Sequence, residues 1–162
     1  MQQRACTNSW RKRFGEHKQA FACAVDSNIA VYALVKDYPT RKIHEKCLRL
    51  LERALRGDIK MVLCLNPIMI VETFSALVKL LGILEAEYRV SSLLDSKRLV
   101  FLSVSRSSSE NAVRWAKESE VPNNDAMMAG VAVEHSAMIY TADEKHFRRL
   151  RKYGAAFRNP LR

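Results

Sequence analysis

The sequence predicts an α/β fold, a three-layer α/β/α arrangement around a mainly parallel sheet of four to five strands. Three observations lead to this prediction. Short apolar runs of strand length recur along the chain, longer segments with helical spacing separate them, and only five Gly and four Pro interrupt the 162 residues. Continuous apolar strands that alternate with helices are typical of a parallel sheet covered on both faces. We expect one such domain, over residues 21–157.

Strand and helix signals alternate in order along this domain. The predicted strands are residues 21–25, 61–65, 99–102 and 137–140, with 155–157 as a candidate edge strand. The predicted helices cover residues 28–34, the stretch between Thr40 and Gly57, and then 67–81, 84–95, 107–120, 122–135 and 143–152. Asn66 followed by Pro67 is the clearest helix start, an N-cap followed by proline at the first helical position. This helix is expected to bury Val71 with its other apolar residues, and Ser107 or Ser108 is the predicted cap of the helix over 107–120.

The positive charge of the chain is concentrated at its two ends. The net charge is +10, of which residues 1–20 carry +4 and residues 145–162 carry +7, so the body between them is nearly neutral. Basic segments beside clustered carboxylates suit a polyanionic substrate such as nucleic acid. The alternative is a pair of solvated basic tails. We expect a flexible extension over 1–20, a basic tail over 158–162, and RNA contacts from Lys145, Arg148, Arg149, Arg151 and Lys152.

Several classes of protein are unlikely partners for this composition. No stretch approaches the roughly 18 consecutive apolar residues of a membrane span, so we expect no membrane association. The four cysteines, Cys6, Cys23, Cys47 and Cys64, lack the close spacing of a zinc or redox motif. Free cysteines are typical of a reducing compartment, and the predicted location is the cytoplasm.

Carboxylates follow successive predicted strands at the positions where ligands bind to open sheets. Asp26 directly follows the first strand, Glu72 lies in the helix after the second, Asp125 opens the helix before the fourth, and Asp143 follows the fourth. Ligands bind beyond the carboxyl ends of the strands at a switch in strand order. Four carboxylates brought together repel one another and require a cation, for which Mg²⁺ or Mn²⁺ is the natural choice. Such ions support hydrolysis of phosphodiesters.

Each carboxylate also has a purely structural interpretation. Asp26 and Asp143 are suited to cap the helices that follow them, and Asp125 complements a helix dipole. Glu72 fits this interpretation least well, because its neighbours are apolar. The polar candidates around the cluster are Ser27, Asn28 and Thr141, while Asn124 is expected to act as a cap. The four histidines, His17, His44, His135 and His146, show no ligand-like spacing among themselves and are interpreted as surface residues or caps.

These residues together resemble the PIN-domain nuclease family over about residues 21–157. The motifs that carry the resemblance are Val25-Asp26-Ser27-Asn28, Val71-Glu72-Thr73, the run from Asn124 to Gly130, and Thr141-Ala142-Asp143 followed by Phe147. The resemblance implies a metal-dependent endoribonuclease that uses Mg²⁺ or Mn²⁺ at the acidic quartet and hydrolyses RNA. Single-domain members of this size are often toxins of the VapC type, so it also implies a homodimer and a cognate antitoxin protein.

Two competing interpretations remain open at this point. A phosphatase of the haloacid-dehalogenase type requires a second aspartate two residues after the first, where this chain has Asn28. A receiver-type module requires paired early acids and a lysine after a late strand, and neither is present. A nuclease-like fold that only binds RNA or a protein partner is the main alternative, although binding a polyanion gains nothing from clustered carboxylates.

Overall fold

A single sheet of five parallel strands forms the centre of the molecule, in the order β3-β2-β1-β4-β5. The computed structural model describes residues 21–162. The strands are β1 (Phe21–Val25), β2 (Met61–Leu65), β3 (Leu99–Phe101), β4 (Met138–Tyr140) and β5 (Phe157–Arg158). Cys23 of the central strand β1 is in register with Leu63 on one side and with Met138 on the other. The predicted α/β fold is therefore confirmed, with the edge strand β5 present.

Seven α-helices and one 3₁₀ turn connect the strands. They are α1 (Ser27–Leu34), α2 (Arg41–Arg56), α3 (Pro67–Leu81), α4 (Ile83–Leu94), α5 (Arg106–Ser119), α6 (Asn123–Glu134), α7 (Glu144–Leu150) and the turn Arg151–Tyr153.

The caps at the helix ends explain where several of these elements start and stop. Thr40 and Asn66 cap α2 and α3 as predicted, and Gly57 ends α2 at φ 83°, a left-handed backbone that glycine adopts without strain. The predicted cap of α5 was wrong by two to three residues. Ser105 caps this helix and accepts a hydrogen bond from the Ser108 amide, and Ser108 Oγ accepts one from the Ser105 amide. Such a reciprocal pair satisfies both amides at the helix start.

Alternate residues of the strands enter two hydrophobic cores, one on each face of the sheet. Ala22 and Ala24 of β1 join the core that contains α5, α6 and α7, whereas Cys23 and Val25 join the core that contains α1 and α2. This alternation is what a sheet covered on both faces requires. Cys23, Cys47 and Cys64 are free and buried, as small apolar residues would be.

One predicted core residue lies at the surface. Val71 of α3 is 63% exposed, while Leu77 on the same helix is fully buried. Its apolar character does not place it inside, because only one stripe of a helix can face the sheet and its neighbours Ile70 and Thr73 occupy that stripe. No helix in the described part of the chain is both long and apolar enough to span a membrane. The predicted extension over residues 1–20, with Cys6 and His17, lies outside the described residues.

The strand order reverses at β1, and this determines where a site is expected. The chain runs outward from β1 through β2 to β3, then crosses back to β4 on the other side of β1 and ends at β5. Helices that follow β1 and β4 diverge to different parts of the molecule and leave a crevice beyond the carboxyl ends of these two strands.

Candidate active site

Asp26 is the buried centre of the crevice beyond β1. Its side chain belongs to a residue that is 7% exposed, and it accepts three short hydrogen bonds. Oδ1 accepts one from the Ser27 amide at 2.7 Å, and Oδ2 accepts one from Asn28 Nδ2 and one from Thr141 Oγ1, both at 2.7 Å. Burial raises the pKa of Asp26, and the hydrogen bonds from Thr141 and Ser27 oppose that increase.

Thr141 ties the ends of β1 and β4 together. Its residue is fully buried, and its hydroxyl donates to Asp26 while accepting a hydrogen bond from the Asp143 amide at 2.9 Å. Asn28 adds a second link, because its Oδ1 accepts a hydrogen bond from the Ala142 amide at 3.1 Å. Two polar side chains thus hold the turn after β4 in a fixed position against Asp26.

Asp125 and Asp143 meet at a histidine that the sequence analysis interpreted as a surface residue or cap. His146 Nδ1 lies 2.7 Å from Asp125 Oδ2 and 3.3 Å from Asp143 Oδ2. Burial raises the pKa of Asp125 to about 6; the charges of Asp26 and Asp143 also raise it, and His146 lowers it. The spacing carried a signal for this contact, since His146 is three residues after Asp143 and therefore on the same helical face.

Glu72 reaches the cluster from α3. Asn124 Nδ2 donates a hydrogen bond to Glu72 Oε1 at 2.5 Å, and the negative charge of Glu72 contributes to the raised pKa of Asp26. The prediction that Asn124 caps α6 was wrong. Pro122 precedes that helix without any side-chain capping bond, and Asn124 in the first turn instead connects α6 to α3.

The structure therefore brings all four predicted carboxylates into one connected cluster. Asp26 interacts electrostatically with both Glu72 and Asp125, and Asp125 interacts with Asp143. The three polar candidates, Ser27, Asn28 and Thr141, all contact Asp26. The other described histidines lie elsewhere: His44 Nδ1 contacts the Tyr32 carbonyl oxygen at 2.9 Å, and His135, the C-cap of α6, is buried with Nε2 3.0 Å from the Ser103 carbonyl oxygen.

The predicted basic residues after the cluster are exposed, and most of them make contacts within the chain. Arg148 pairs with Glu144 at 2.8 Å, and Arg149 donates to the carbonyl oxygens of Ser119 and Glu120 at the end of α5. Arg151 lies over the Phe157 ring and Lys152 over the Tyr153 ring. Their role toward RNA stays a prediction, as does that of Lys145.

The donor set at this cluster fits a hard divalent cation. Four carboxylates supply oxygen ligands of the kind that Mg²⁺ and Mn²⁺ prefer. His146 Nδ1 is buried among carboxylate oxygens yet makes no hydrogen bond of acceptable geometry, as expected for an atom beside a site that a cation would complete. Within the described residues, no three acidic, histidine or cysteine side chains already form a closed cage. Mg²⁺ retains several waters and needs only one or two carboxylates, so a closed cage is not required.

An open parallel sheet with an acidic crevice at its switch point defines a class of α/β proteins whose site is built from strand-end carboxylates. Within that class the chain belongs to the PIN-domain family, because the PIN domain matches residues 23–153. The family predicted from the sequence motifs is thereby confirmed.

Solved structures of low sequence identity share the fold. A complex titled VapBC2 from Rickettsia felis, bound to a DNA fragment from its promoter, contains a chain 19% identical, with 86% of this chain and 98% of that chain covered and a TM-score of 0.65. VapC20 from Mycobacterium tuberculosis, titled a sarcin-ricin loop cleaving toxin, is 19% identical over 76% of this chain and 92% of its own, with a TM-score of 0.62. A toxin–antitoxin complex from Klebsiella pneumoniae gives 17%, 85%, 97% and 0.58 for the same quantities. A comparison with curated proteins finds no match.

Proposed function

We propose that this chain is a metal-dependent endoribonuclease that uses Mg²⁺ or Mn²⁺ at Asp26, Glu72, Asp125 and Asp143. The observation that carries the proposal is the meeting of these four carboxylates at the switch point of a PIN domain. A structural role for each carboxylate alone does not explain why four of them share one crevice, since their mutual repulsion destabilises the metal-free fold.

The hydrogen bonds of Asp26 indicate which of its oxygens is available to a cation. A carboxylate has about four lone-pair positions. Among the contacts within the described residues, Oδ2 accepts two short hydrogen bonds, from Asn28 and Thr141, whereas Oδ1 accepts only one, from the Ser27 amide. Oδ1 is therefore the oxygen proposed as the ligand, and Asn28 and Thr141 fix its orientation.

The remaining residues have distinct proposed roles. A divalent cation in this crevice supplies activation of water and charge stabilisation at a phosphate. Asn124 holds Glu72 against α6, so the carboxylate from α3 is aimed into the crevice rather than into solvent. The exposed basic residues of α7 and the following turn provide positive charge for backbone phosphates beyond the cleavage point, a contribution that falls with salt concentration.

The proposed partners follow from the family and the relatives. We infer that the chain acts in the cytoplasm as the toxin of a toxin–antitoxin pair, because solved complexes of this fold contain toxins with antitoxins. We also infer a homodimer. The hairpin of α3 and α4 exposes a group of large apolar residues, which are Val71, Leu80, Ile83, Leu84 and Tyr88. Exposed apolar groups of this size mark interaction surfaces.

RNA cleavage is the direct test of the nuclease proposal. A mixed RNA pool is incubated with the wild type, with Asp125→Asn, and with the matched control Asp58→Asn. Asp58 precedes β2 and therefore lies at the opposite edge of the sheet. We expect cleavage with Mg²⁺ or Mn²⁺ that EDTA abolishes and that Asp125→Asn lowers at least ~100-fold, an effect typical of losing a group that stabilises the transition state.

The control and a cellular readout make the test decisive. Asp58→Asn should cleave like the wild type, and expression of the wild type alone should arrest growth of a bacterial host. Equal cleavage by Asp125→Asn, or cleavage that persists in EDTA, would contradict the metal-site assignment. RNA binding without cleavage by a folded wild type would instead favour the binding module.

A further inference from the structure

His146 occupies a position in the acidic cluster that no carboxylate chemistry requires. It lies on α7, three residues after Asp143, and its side chain is 25% exposed. Nδ1 itself is buried and lies 2.7 Å from Asp125 Oδ2 and 3.3 Å from Asp143 Oδ2. The other two histidines in the described part of the chain direct a ring nitrogen at a backbone carbonyl oxygen instead.

The contacts of Nδ1 are close in distance but poor as hydrogen bonds. Although both carboxylate oxygens are near, no hydrogen on Nδ1 is aligned with either of them. A proton shared with Asp125 would favour a nearly linear arrangement. Three donor atoms that surround a point without bonding to one another are instead the arrangement expected of ligands around a cation.

The separations of the three atoms suit a common ion. Two ligands about 2.1 Å from an octahedral ion and at right angles to each other are about 3.0 Å apart. The two separations from Nδ1, 2.7 and 3.3 Å, lie on either side of that value. Nδ1 can therefore complete the coordination of an ion held by Asp125 and Asp143 with only small shifts of its ring.

We propose that His146 Nδ1 is a nitrogen ligand of the divalent cation and that it makes the site prefer Mn²⁺ to Mg²⁺. The inference rests on the proposed metal-dependent nuclease function and specifies which ion serves it. Mg²⁺ takes oxygen ligands, whereas imidazole is a good ligand for first-row transition ions. Replacing one oxygen position by nitrogen therefore weakens Mg²⁺ binding relative to Mn²⁺ binding.

Pulsed electron paramagnetic resonance of bound Mn²⁺ tests this proposal without any activity assay. The full chain is loaded with Mn²⁺ as the wild type, as His146→Gln, and as the control His44→Gln, whose ring contacts the Tyr32 carbonyl oxygen. We expect coupling to ¹⁴N in the wild type and in His44→Gln, a change to the ¹⁵N pattern after labelling with ¹⁵N-histidine, and no nitrogen coupling in His146→Gln. Circular dichroism verifies that each variant is folded.

Calorimetric titration with each ion measures the preference. The ratio of Mn²⁺ affinity to Mg²⁺ affinity should fall about 10-fold in His146→Gln and stay unchanged in His44→Gln, in the range known for residues that tune a metal site. Mn²⁺ binding without nitrogen coupling in the wild type would overturn the role of His146 and leave the nuclease proposal standing. Absence of any Mn²⁺ or Mg²⁺ binding by the folded wild type would overturn both.

Discussion

Asp26 shows that helix capping and a functional role are compatible at one residue. Its Oδ1 accepts the hydrogen bond of the Ser27 amide as the N-cap of α1, and its Oδ2 is held by Asn28 and Thr141. From sequence the two roles compete, because either one accounts for an aspartate between a strand and a helix. In the fold the cap fixes the direction of the carboxylate, so the structural role serves the proposed functional one.

The raised pKa of Asp125 predicts how the metal-free protein responds to pH. Its folded pKa is about 6, above the ordinary value of 3.8, so the native state holds the proton more tightly than the unfolded state does. The free energy of unfolding is then highest below the unfolded value and decreases as the pH rises toward about 6. In EDTA at about pH 7.5, Asp125→Asn should be more stable than the wild type by roughly 1–3 kcal/mol, given 1.36 kcal/mol per pKa unit.

Urea denaturation across this pH range measures the effect. The difference in unfolding free energy between Asp125→Asn and the wild type should shrink as the pH falls from about 6 to the unfolded value of 3.8. Asp58→Asn serves as the control and should follow the wild type at every pH. A variant less stable than the wild type at about pH 7.5 would show that Asp125 stabilises the fold and would remove the repulsion argument.

Residue identity predicted the carboxylates better than their partners. Asp26, Asp125 and Asp143 could be placed from the ends of strands and helices, because backbone topology alone brings those positions together. The contacts of Asn124 with Glu72 and of His146 with Asp125 depend on side-chain direction and on the relative placement of separate helices. Neither quantity follows from the spacing of residues along a chain.

At the scale of elements, α6 packs against α5 so closely that one position admits only glycine. A Cβ atom on Gly130 would lie 2.7 Å from the Ser108 carbonyl oxygen. Because Ser108 is fixed by the reciprocal cap with Ser105, its backbone cannot withdraw easily. Asp125 lies one turn before Gly130 on the same helix, so this close approach also helps to place that carboxylate.

Gly130→Ala is expected to destabilise the protein. Alanine in a helix interior gains up to ~1 kcal/mol over glycine from propensity. Overpacking against fixed backbone costs about 1–3 kcal/mol, so the net loss should be about 1–2 kcal/mol. Thermal or urea unfolding measures it, with Ser107→Ala on the exposed face of α5 as a control that changes stability by less than about 0.5 kcal/mol. A neutral or stabilising Gly130→Ala would mean that α5 and α6 can separate without cost.

Element boundaries followed local signals where those signals were strong. The cap at Asn66, Pro67 after it and Gly57 at the end of α2 were all predicted, because each has a local physical cause. The cap of α5 was misplaced within the run Ser105 to Ser109, where several serines offer the same side chain. Val71 was misassigned for a different reason, since periodicity identifies an apolar helix but not which of its apolar residues meets the sheet.

At the scale of the whole molecule, strand order converts distant sequence positions into one crevice. The chain leaves β1 toward β2 and β3, and returns to the other side of β1 only after α6. Asp26 and Asp143 are thereby placed beyond adjacent strands, with Asp125 and Glu72 supplied by helices that flank the gap. The same arrangement leaves the hairpin of α3 and α4 at the outside of the molecule, where its apolar residues meet no part of the described chain that covers them.

That outer hairpin leads to a prediction about assembly. Leu84 is 79% exposed, with Ile83 at 60% and Tyr88 at 69% beside it on α4. Burying these side chains between two copies would supply an apolar interface core, in which a charge is strongly disfavoured. Sedimentation velocity should therefore show a dimer for the wild type and a monomer for Leu84→Glu at the same concentration. Val113→Glu is the matched control, since Val113 is 72% exposed but lies on α5. A wild-type monomer, or equal dissociation by Val113→Glu, would contradict dimerisation through the hairpin.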